Sequence, residues 1–128
     1  MKSLGFVEVS GVAAAIDALD IMCKSAEVSL VSWERKLGGR LVTLIVTGTV
    51  SAVNAAVENA AKQCIKKPCA TAVIANPHPE TARLAELSAK RLEKKAAQKE
   101  AAAAAAKPAA KAPAKKTTTK TQVKKEEN

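Results

Sequence analysis

Residues 39–48 read GRLVTLIVTG, and the clearest strand of the chain lies within them. Its centre, residues 41–46, is rich in β-branched and aliphatic side chains, which is typical of a buried strand. Gly48 closes the strand. A second strand pattern lies upstream, where Val28, Leu30 and Trp33 precede two adjacent glycines. Because paired glycines between two strand patterns supply permissive backbone angles, the sequence predicts a hairpin-like connection there.

Amphipathic helix patterns flank this hairpin on both sides. Upstream, Ser10 is a candidate N-cap for a helix that ends near residues 25–26. Its apolar residues recur at helical spacing and predict this buried face: Val12, Ile16, Leu19 and Cys23. Downstream, Ser51 can cap a second helix, which the run Lys66-Lys67-Pro68 stops. The predicted buried face of the second helix comprises Val53, Ala56, Val57, Ala60, Ala61 and Cys64.

Two outer strands complete the pattern, at residues 4–9 and 70–75. The order is then strand, helix, strand, strand, helix, strand, which is the split β-α-β pattern of ferredoxin-like α+β domains. We therefore predict a four-stranded antiparallel sheet with both helices on one face.

The character of the chain changes beyond Pro79. Residues 80–106 consist of good helix formers with a sparse apolar set, Leu84, Leu87 and Leu92. Such a helix can dock by its first turns and then run into solvent. After Lys107 the chain is mostly alanine, lysine, proline and threonine, which bury too little surface to offset ordering entropy, so a disordered tail is predicted. The predicted domains are residues 1–92, and an extension over residues 93–128.

The charge is uneven along the 128 residues. The net charge is +9, but residues 1–78 carry eight Lys or Arg against six Asp or Glu, whereas residues 79–128 carry thirteen against six. The basicity therefore belongs to the C-terminal portion. Only 2% of the residues are aromatic and much of the 48% apolar content is alanine, which favours subunits that complete one another's core.

Three cysteines, Cys23, Cys64 and Cys69, match no common zinc or redox spacing. We expect them to be reduced, with Cys23 buried in its helix as a small hydrophobe. The N-terminus lacks an apolar signal core, and no apolar run reaches membrane-spanning length. A cytoplasmic protein is expected.

Four segments, taken in order, resemble the bacterial microcompartment (BMC) shell domain. They are residues 4–18 (LGFVEVSGVAAAIDA), 24–31 (KSAEVSLV), 39–53 (GRLVTLIVTGTVSAV) and 72–78 (AVIANPH). The resemblance covers about residues 2–92. It implies a flat cyclic hexamer that tiles edge to edge, with other shell proteins, into a sheet enclosing metabolic enzymes.

The resemblance also implies roles for particular residues at the hexamer edge. Lys24 matches the family lysine that stacks against its symmetry mate in the neighbouring hexamer, and His78 matches the histidine of the edge turn. Asn76 falls where many members carry an arginine that reaches across the edge. Since asparagine lacks the planar fork of donors, this position departs from the family pattern.

A central pore is implied at the loop between the second and third strands. Leu37, Gly38 and Gly39 fall where many members have an Ile-Gly-Ser-Gly loop, and this loop is one residue longer. Convergent glycine N–H groups, with Lys36 and Arg40 beside them, suit small polar or anionic solutes. The alternatives are a plain β-turn, and pairing of Lys36 or Arg40 with Glu34.

Two other functional classes compete with a structural shell role. The lysine-rich tail resembles those of linker histones and would bind nucleic acid through phosphate, although it lacks interleaved aromatic residues. The alternative partners of such a tail are acidic surfaces of the encapsulated enzymes and neighbouring hexamers. An enzyme is disfavoured because no carboxylate pair, metal cluster or phosphate-binding glycine motif is evident, and because His78 has no nucleophile partner. The sequence therefore predicts no catalytic residue, metal or cofactor.

Overall fold

A computed structural model describes residues 2–35 and 40–106. The elements are β1 (Ser3–Ser10), α1 (Val12–Ser25), β2 (Val28–Glu34), β3 (Leu41–Gly48), α2 (Val50–Gln63), β4 (Ala70–Ile74) and α3 (Pro79–Ala106). This order confirms the predicted alternation of strands and helices. The predicted pore-loop residues Lys36, Leu37, Gly38 and Gly39, and the tail from Lys107 onward, lie outside the described residues.

The four strands form one antiparallel sheet in the order β2-β3-β1-β4. The register of β1 aligns Ser3 with Gly48 of β3 and Leu4 with Ile74 of β4. On β2 the register shifts between Leu30 and Ser32, which is the geometry of a β-bulge. The ferredoxin-like α+β prediction is confirmed.

Helices α1 and α2 pack side by side on one face of the sheet, as predicted. The face that α1 buries differs from the prediction. Its buried residues are Ala14, Ala15, Ala18 and Met22. In contrast, Val12 and Ile16 are 42% and 55% exposed, and Cys23 is exposed rather than buried. Small side chains face inward because they let α1 approach α2 and the sheet closely.

The second helix follows its predicted face more closely. Val53, Ala56, Val57 and Ala60 are buried, whereas Ala61 is exposed. Gly5 of β1 lies directly beneath α2, and a Cβ atom added there would come 2.7 Å from Cγ1 of Val53. The tight approach of α2 to the sheet therefore depends on a glycine in β1.

Both helix caps differ by one or two residues from the prediction. Gly11, not Ser10, is the N-cap of α1, with φ of 102° and no side-chain cap, while Ser10 ends β1. That backbone angle lies in the region that favours glycine. For α2 the cap is Thr49, not Ser51, because the Thr49 hydroxyl accepts a hydrogen bond from Ala52 N at 3.3 Å.

Helix α3 covers the opposite face of the sheet. Leu4 and Ile45 pack there with Ala85 of α3. The helix docks by its first turns as predicted, but through small side chains: Ala85 and Ser88 are buried, whereas Leu84 and Leu87 are exposed by 63% and 38%. Contact with the sheet ends near Leu92, and side chains 93–105 are exposed. In the part of the chain that is described, no helix is both long and apolar enough to cross a membrane.

Candidate functional site

The predicted functional residues lie at two opposite ends of the sheet. The rim end, defined by Lys24, Asn76 and His78, gathers the last turn of α1 and the exit from β4. The hairpin end, defined by Arg35 and Arg40, lies where β2 finishes and β3 begins. The eight residues of β3 separate the two ends by roughly 24 Å.

Lys24 is exposed at the last turn of α1, where a cation is favourable against the helix dipole. Its Nζ lies 2.7 Å from an Asp20 carboxylate oxygen one turn earlier. The hydrogen bond to Asp20, followed by charge attraction to it, raises the pKa of Lys24 above its ordinary value. Lys24 is therefore a protonated cation at neutral pH, paired with Asp20.

Asn76 and His78 occupy the turn between β4 and α3. Both side chains are exposed. The Nδ1 atom of His78 accepts a hydrogen bond from Glu80 N at 3.2 Å, and the His78 carbonyl accepts one from Ala82 N at 3.0 Å. His78 thus caps the start of α3. Lys24 and His78 lie at the same end of the sheet but at opposite borders. Lys24 shortly precedes β2, which forms one border, whereas His78 follows β4, which forms the other.

At the hairpin end, Arg35 and Arg40 are exposed. The Arg35 guanidinium lies 4.7 Å from the ring centroid of Trp33, a cation–π contact. The Arg40 carbonyl accepts a hydrogen bond from Gly11 N at 2.7 Å, which ties the start of β3 to the start of α1. Among the described residues Arg40 makes no ion pair with Glu34. Trp33 packs against the core of its own subunit.

A buried polar cluster under α3 was not anticipated from the sequence. The Ser32 and Ser88 hydroxyls lie 2.7 Å apart, and the Ser88 hydroxyl donates a hydrogen bond to Oε1 of Glu34. This cluster positions α3 over the C-terminal end of β2 and gives the Glu34 carboxylate a hydrogen-bond donor on α3. The sequence signal for this cluster is the helical spacing of three small residues, Thr81, Ala85 and Ser88, on the α3 face that continues to Leu92.

The cysteines and acidic residues show no catalytic arrangement. Cys23, Cys64 and Cys69 are free, and Sγ of Cys64 donates to the Ala14 carbonyl at 3.4 Å. Over residues 2–35 and 40–106, no three metal-ligating side chains form a cluster. The Glu8 carboxylate accepts a hydrogen bond from the Thr43 hydroxyl, and Asp17 accepts one from Ile65 N, so both carboxylates connect structural elements.

Comparison with known proteins identifies relatives of this chain. A family model described as the BMC domain matches residues 3–77. The bacterial microcompartment shell protein PduA of Salmonella typhimurium is 45% identical over 85 residues, which cover 65% of this chain and 89% of that protein. The carboxysome shell protein CsoS1A of Hydrogenovibrio crunogenus is 42% identical over 91 residues, covering 69% of this chain and 94% of that protein.

A solved structure resembles the fold. The microcompartments protein from Desulfitobacterium hafniense DCB superposes with a TM-score of 0.60 at 26% identity. The alignment covers 69% of this chain and 48% of that one, so the chain spans about half the length of that structure.

Proposed function

The chain belongs to the BMC domain family, and from this membership we propose that it is a structural shell subunit of a bacterial microcompartment. The observation that carries the proposal is the match over residues 3–77, together with relatives that are named shell proteins and are aligned over about nine-tenths of their length. A structural role fits the absence of a catalytic constellation over the described residues.

The subunit assembles as a flat hexamer. An apolar patch on the outer face of α1 supports association, because Val12 and Ile16 lie one helical turn apart and both are exposed. A neighbouring subunit that covers this patch removes apolar surface from water. The thin core of alanine and valine side chains also gains from such burial.

The hairpin end surrounds the symmetry axis and the rim end forms the hexamer edge. The separation of roughly 24 Å along β3 supports this division, because one end can face the axis while the other faces outward. Residues 36–39 then line a pore for small polar or anionic solutes, with Arg40 at its margin. Lys24, Asn76 and His78 meet the neighbouring hexamer and other shell proteins.

Native mass spectrometry and electron microscopy test the proposal together. We expect a mass of about six chains and flat sheets of hexamers at high protein concentration. A stable monomer or trimer at micromolar concentration contradicts the shell proposal. Nucleic-acid binding, the alternative from the sequence, draws no support from the family match, because the lysine-rich segment lies beyond residue 77.

A further inference from the structure

The second half of α3, residues 93–106, which we name the distal helix, buries no side chain among the residues whose burial the structure describes. Its side chains 93–105 are all exposed. The distal helix starts beside the hairpin end, because Leu92 and Lys95 border a cavity of about 250 Å³ together with Trp33 and Glu34. From Lys95 the helix continues to Ala106, roughly 16 Å further.

Charges on the distal helix are sorted onto two opposite flanks. At 100° per residue, the docked stripe of α3 (Ala85, Ser88, Leu92) continues along Ala96 and Ala103. Acidic residues recur every seven positions about 80° to one side of that stripe. They are Glu86, Glu93 and Glu100. Basic residues recur every four positions on the other side, at about 120°, 80° and 40° from the stripe in chain order. They are Arg91, Lys95 and Lys99.

These flanks form no ion pair within the described part of the subunit. The ion pairs among the described residues are Lys24 with Asp20 and Arg83 with Glu80, and neither involves a flank residue. No acidic flank residue stands three or four positions from a basic flank residue, the spacing at which side chains meet on one helix, so the two flanks cannot pair within it. They are complementary to the flanks of a second copy that lies parallel to the first.

Such an arrangement fits a ring. In a closed ring each subunit contacts its neighbours through two different patches, one on each side. The direction of α3 brings the copies together, since it runs along β2 towards the hairpin end, the end assigned above to the symmetry axis. This step rests on the proposed function.

We propose that the distal helices of adjacent subunits pack against one another around the ring axis, with the acidic flank of one helix (Glu93, Glu100) facing the basic flank of the next (Lys95, Lys99). The alanine stripe allows the helices to approach closely, and the closed ring supplies the effective concentration that individually weak exposed ion pairs need. The bundle extends the shell subunit above the mouth of the pore.

Zero-length crosslinking of the full-length protein tests the contact directly. A carbodiimide joins a carboxylate to an amine only when the two are in contact. Assemblies prepared from a mixture of ¹⁴N and ¹⁵N chains should yield interchain amides between Glu93 or Glu100 and Lys95 or Lys99. Assemblies whose crosslinks map elsewhere between subunits, with none between these flanks, overturn the proposal.

Charge reversal gives a second readout, hydrogen exchange of residues 93–106. A solvated helix of this length is marginal in water, so loss of pairing should speed exchange at least tenfold. The double variants E93K/E100K and K95E/K99E should each show this increase, and combining all four changes should restore slow exchange. The control K94E changes a charge on the outward face, where its neighbours one turn earlier are Lys90 and Arg91, and should not speed exchange.

Failure of the shell proposal and failure of the distal-helix proposal give different results. Native mass of the parent reports on the hexamer, whereas crosslinks and exchange report on the distal helix. If the parent is hexameric and both E93K/E100K and K95E/K99E exchange as slowly as the parent, helix pairing is contradicted while the shell function stays intact. A parent that is monomeric contradicts both.

Discussion

At Gly5 the backbone of β1 comes into contact with α2, and this single position controls how closely the helix packs on the sheet. We expect Gly5→Ala to destabilise the protein by about 1–3 kcal/mol, because the new methyl group would lie 2.7 Å from Cγ1 of Val53. Chemical denaturation at a fixed protein concentration measures the loss.

A double-mutant cycle with Val53 separates this clash from other effects. Val53→Ala alone leaves a cavity, but it also removes the methyl group that the side chain introduced by Gly5→Ala would strike. The double variant should therefore be more stable than the sum of the two single losses indicates. Strictly additive losses would show that Gly5 matters for a reason other than contact with α2.

Lys24 can be tested separately from folding because it is exposed and lies on the helix surface. Lys24→Asp places a carboxylate beside Asp20, and like charges one turn apart cost a helix only about 0.2–0.5 kcal/mol. Hexamers should therefore persist, whereas sheets of hexamers seen by electron microscopy should become sparse. Lys62→Asp, at the corresponding last turn of α2, is the matched control and should form sheets normally. If both variants form sheets of equal extent, Lys24 does not contribute to the contact between hexamers.

The sequence predicts which helices and strands form, and in what order, better than it predicts which face of each helix is buried. The strong strand over residues 41–46 and the helical spacings on either side were sufficient for the fold. The buried face of α1 was predicted wrongly because large apolar residues, Val12 and Ile16, were taken to be the core. Close packing of α1 on α2 selects alanine instead, and leaves the larger side chains outside. The same preference for small residues explains why α3 docks through Ala85 and Ser88 rather than Leu84.

The docking of α3 depends on the hydroxyl of Ser88. Ser88→Ala leaves the fully buried Ser32 hydroxyl without its partner, and it removes the donor to Glu34. Leaving such a group unsatisfied costs about 1–3 kcal/mol. We expect lower stability on chemical denaturation, and faster hydrogen exchange in the first turns of α3. Ser29→Ala, on the exposed part of β2, is the control, and an equal effect of the two variants would contradict a special role for the cluster.

The loop at residues 36–39 is the element on which the pore proposal depends. Gly39→Trp adds one bulky side chain from each of the six subunits to the proposed pore. It should therefore narrow the opening and slow the flux of small anions across closed shells. Native mass should remain that of the hexamer. Arg40→Gln, which removes a margin charge without adding bulk, should change anion preference more than neutral-solute flux. Unchanged flux in the Gly39 variant, in shells built only from this subunit, would require another route.

For the chain taken as a whole, the sequence predicts a division into a nearly neutral domain and a basic extension. The family match over residues 3–77 lies within the nearly neutral part. The location of Lys24, Asn76 and His78 at one end of the sheet follows from topology, which sequence order predicts. Their role does not follow from topology, because it depends on contacts between copies, and a single chain contains no signal for those except resemblance. The polar cluster at Ser32, Ser88 and Glu34 was missed for a related reason, since its partners are more than fifty residues apart.

The basic tail beyond residue 106 supplies the last prediction. A chain that ends at Ala106 retains every described element, including the distal helix, and should still form hexamers. In the proposed hexamer six tails act together, because clustering gives weak lysine contacts a high effective concentration. We therefore expect the truncated protein to lose capture of an acidic partner at low salt, and the parent to lose it progressively as salt screens the charges.

A matched variant separates charge from length. Replacing the seven lysines between residues 107 and 125 by glutamine keeps the chain but removes its positive charge. This variant should behave like the truncation in pull-down experiments and like the parent in native mass. Nuclease treatment distinguishes nucleic acid from cargo enzymes or neighbouring shell subunits, because only a nucleic-acid partner is then released. If parent, truncation and glutamine variant capture the same partners with the same salt dependence, the tail contributes no contact, and its lysines serve only to keep the assembly in solution.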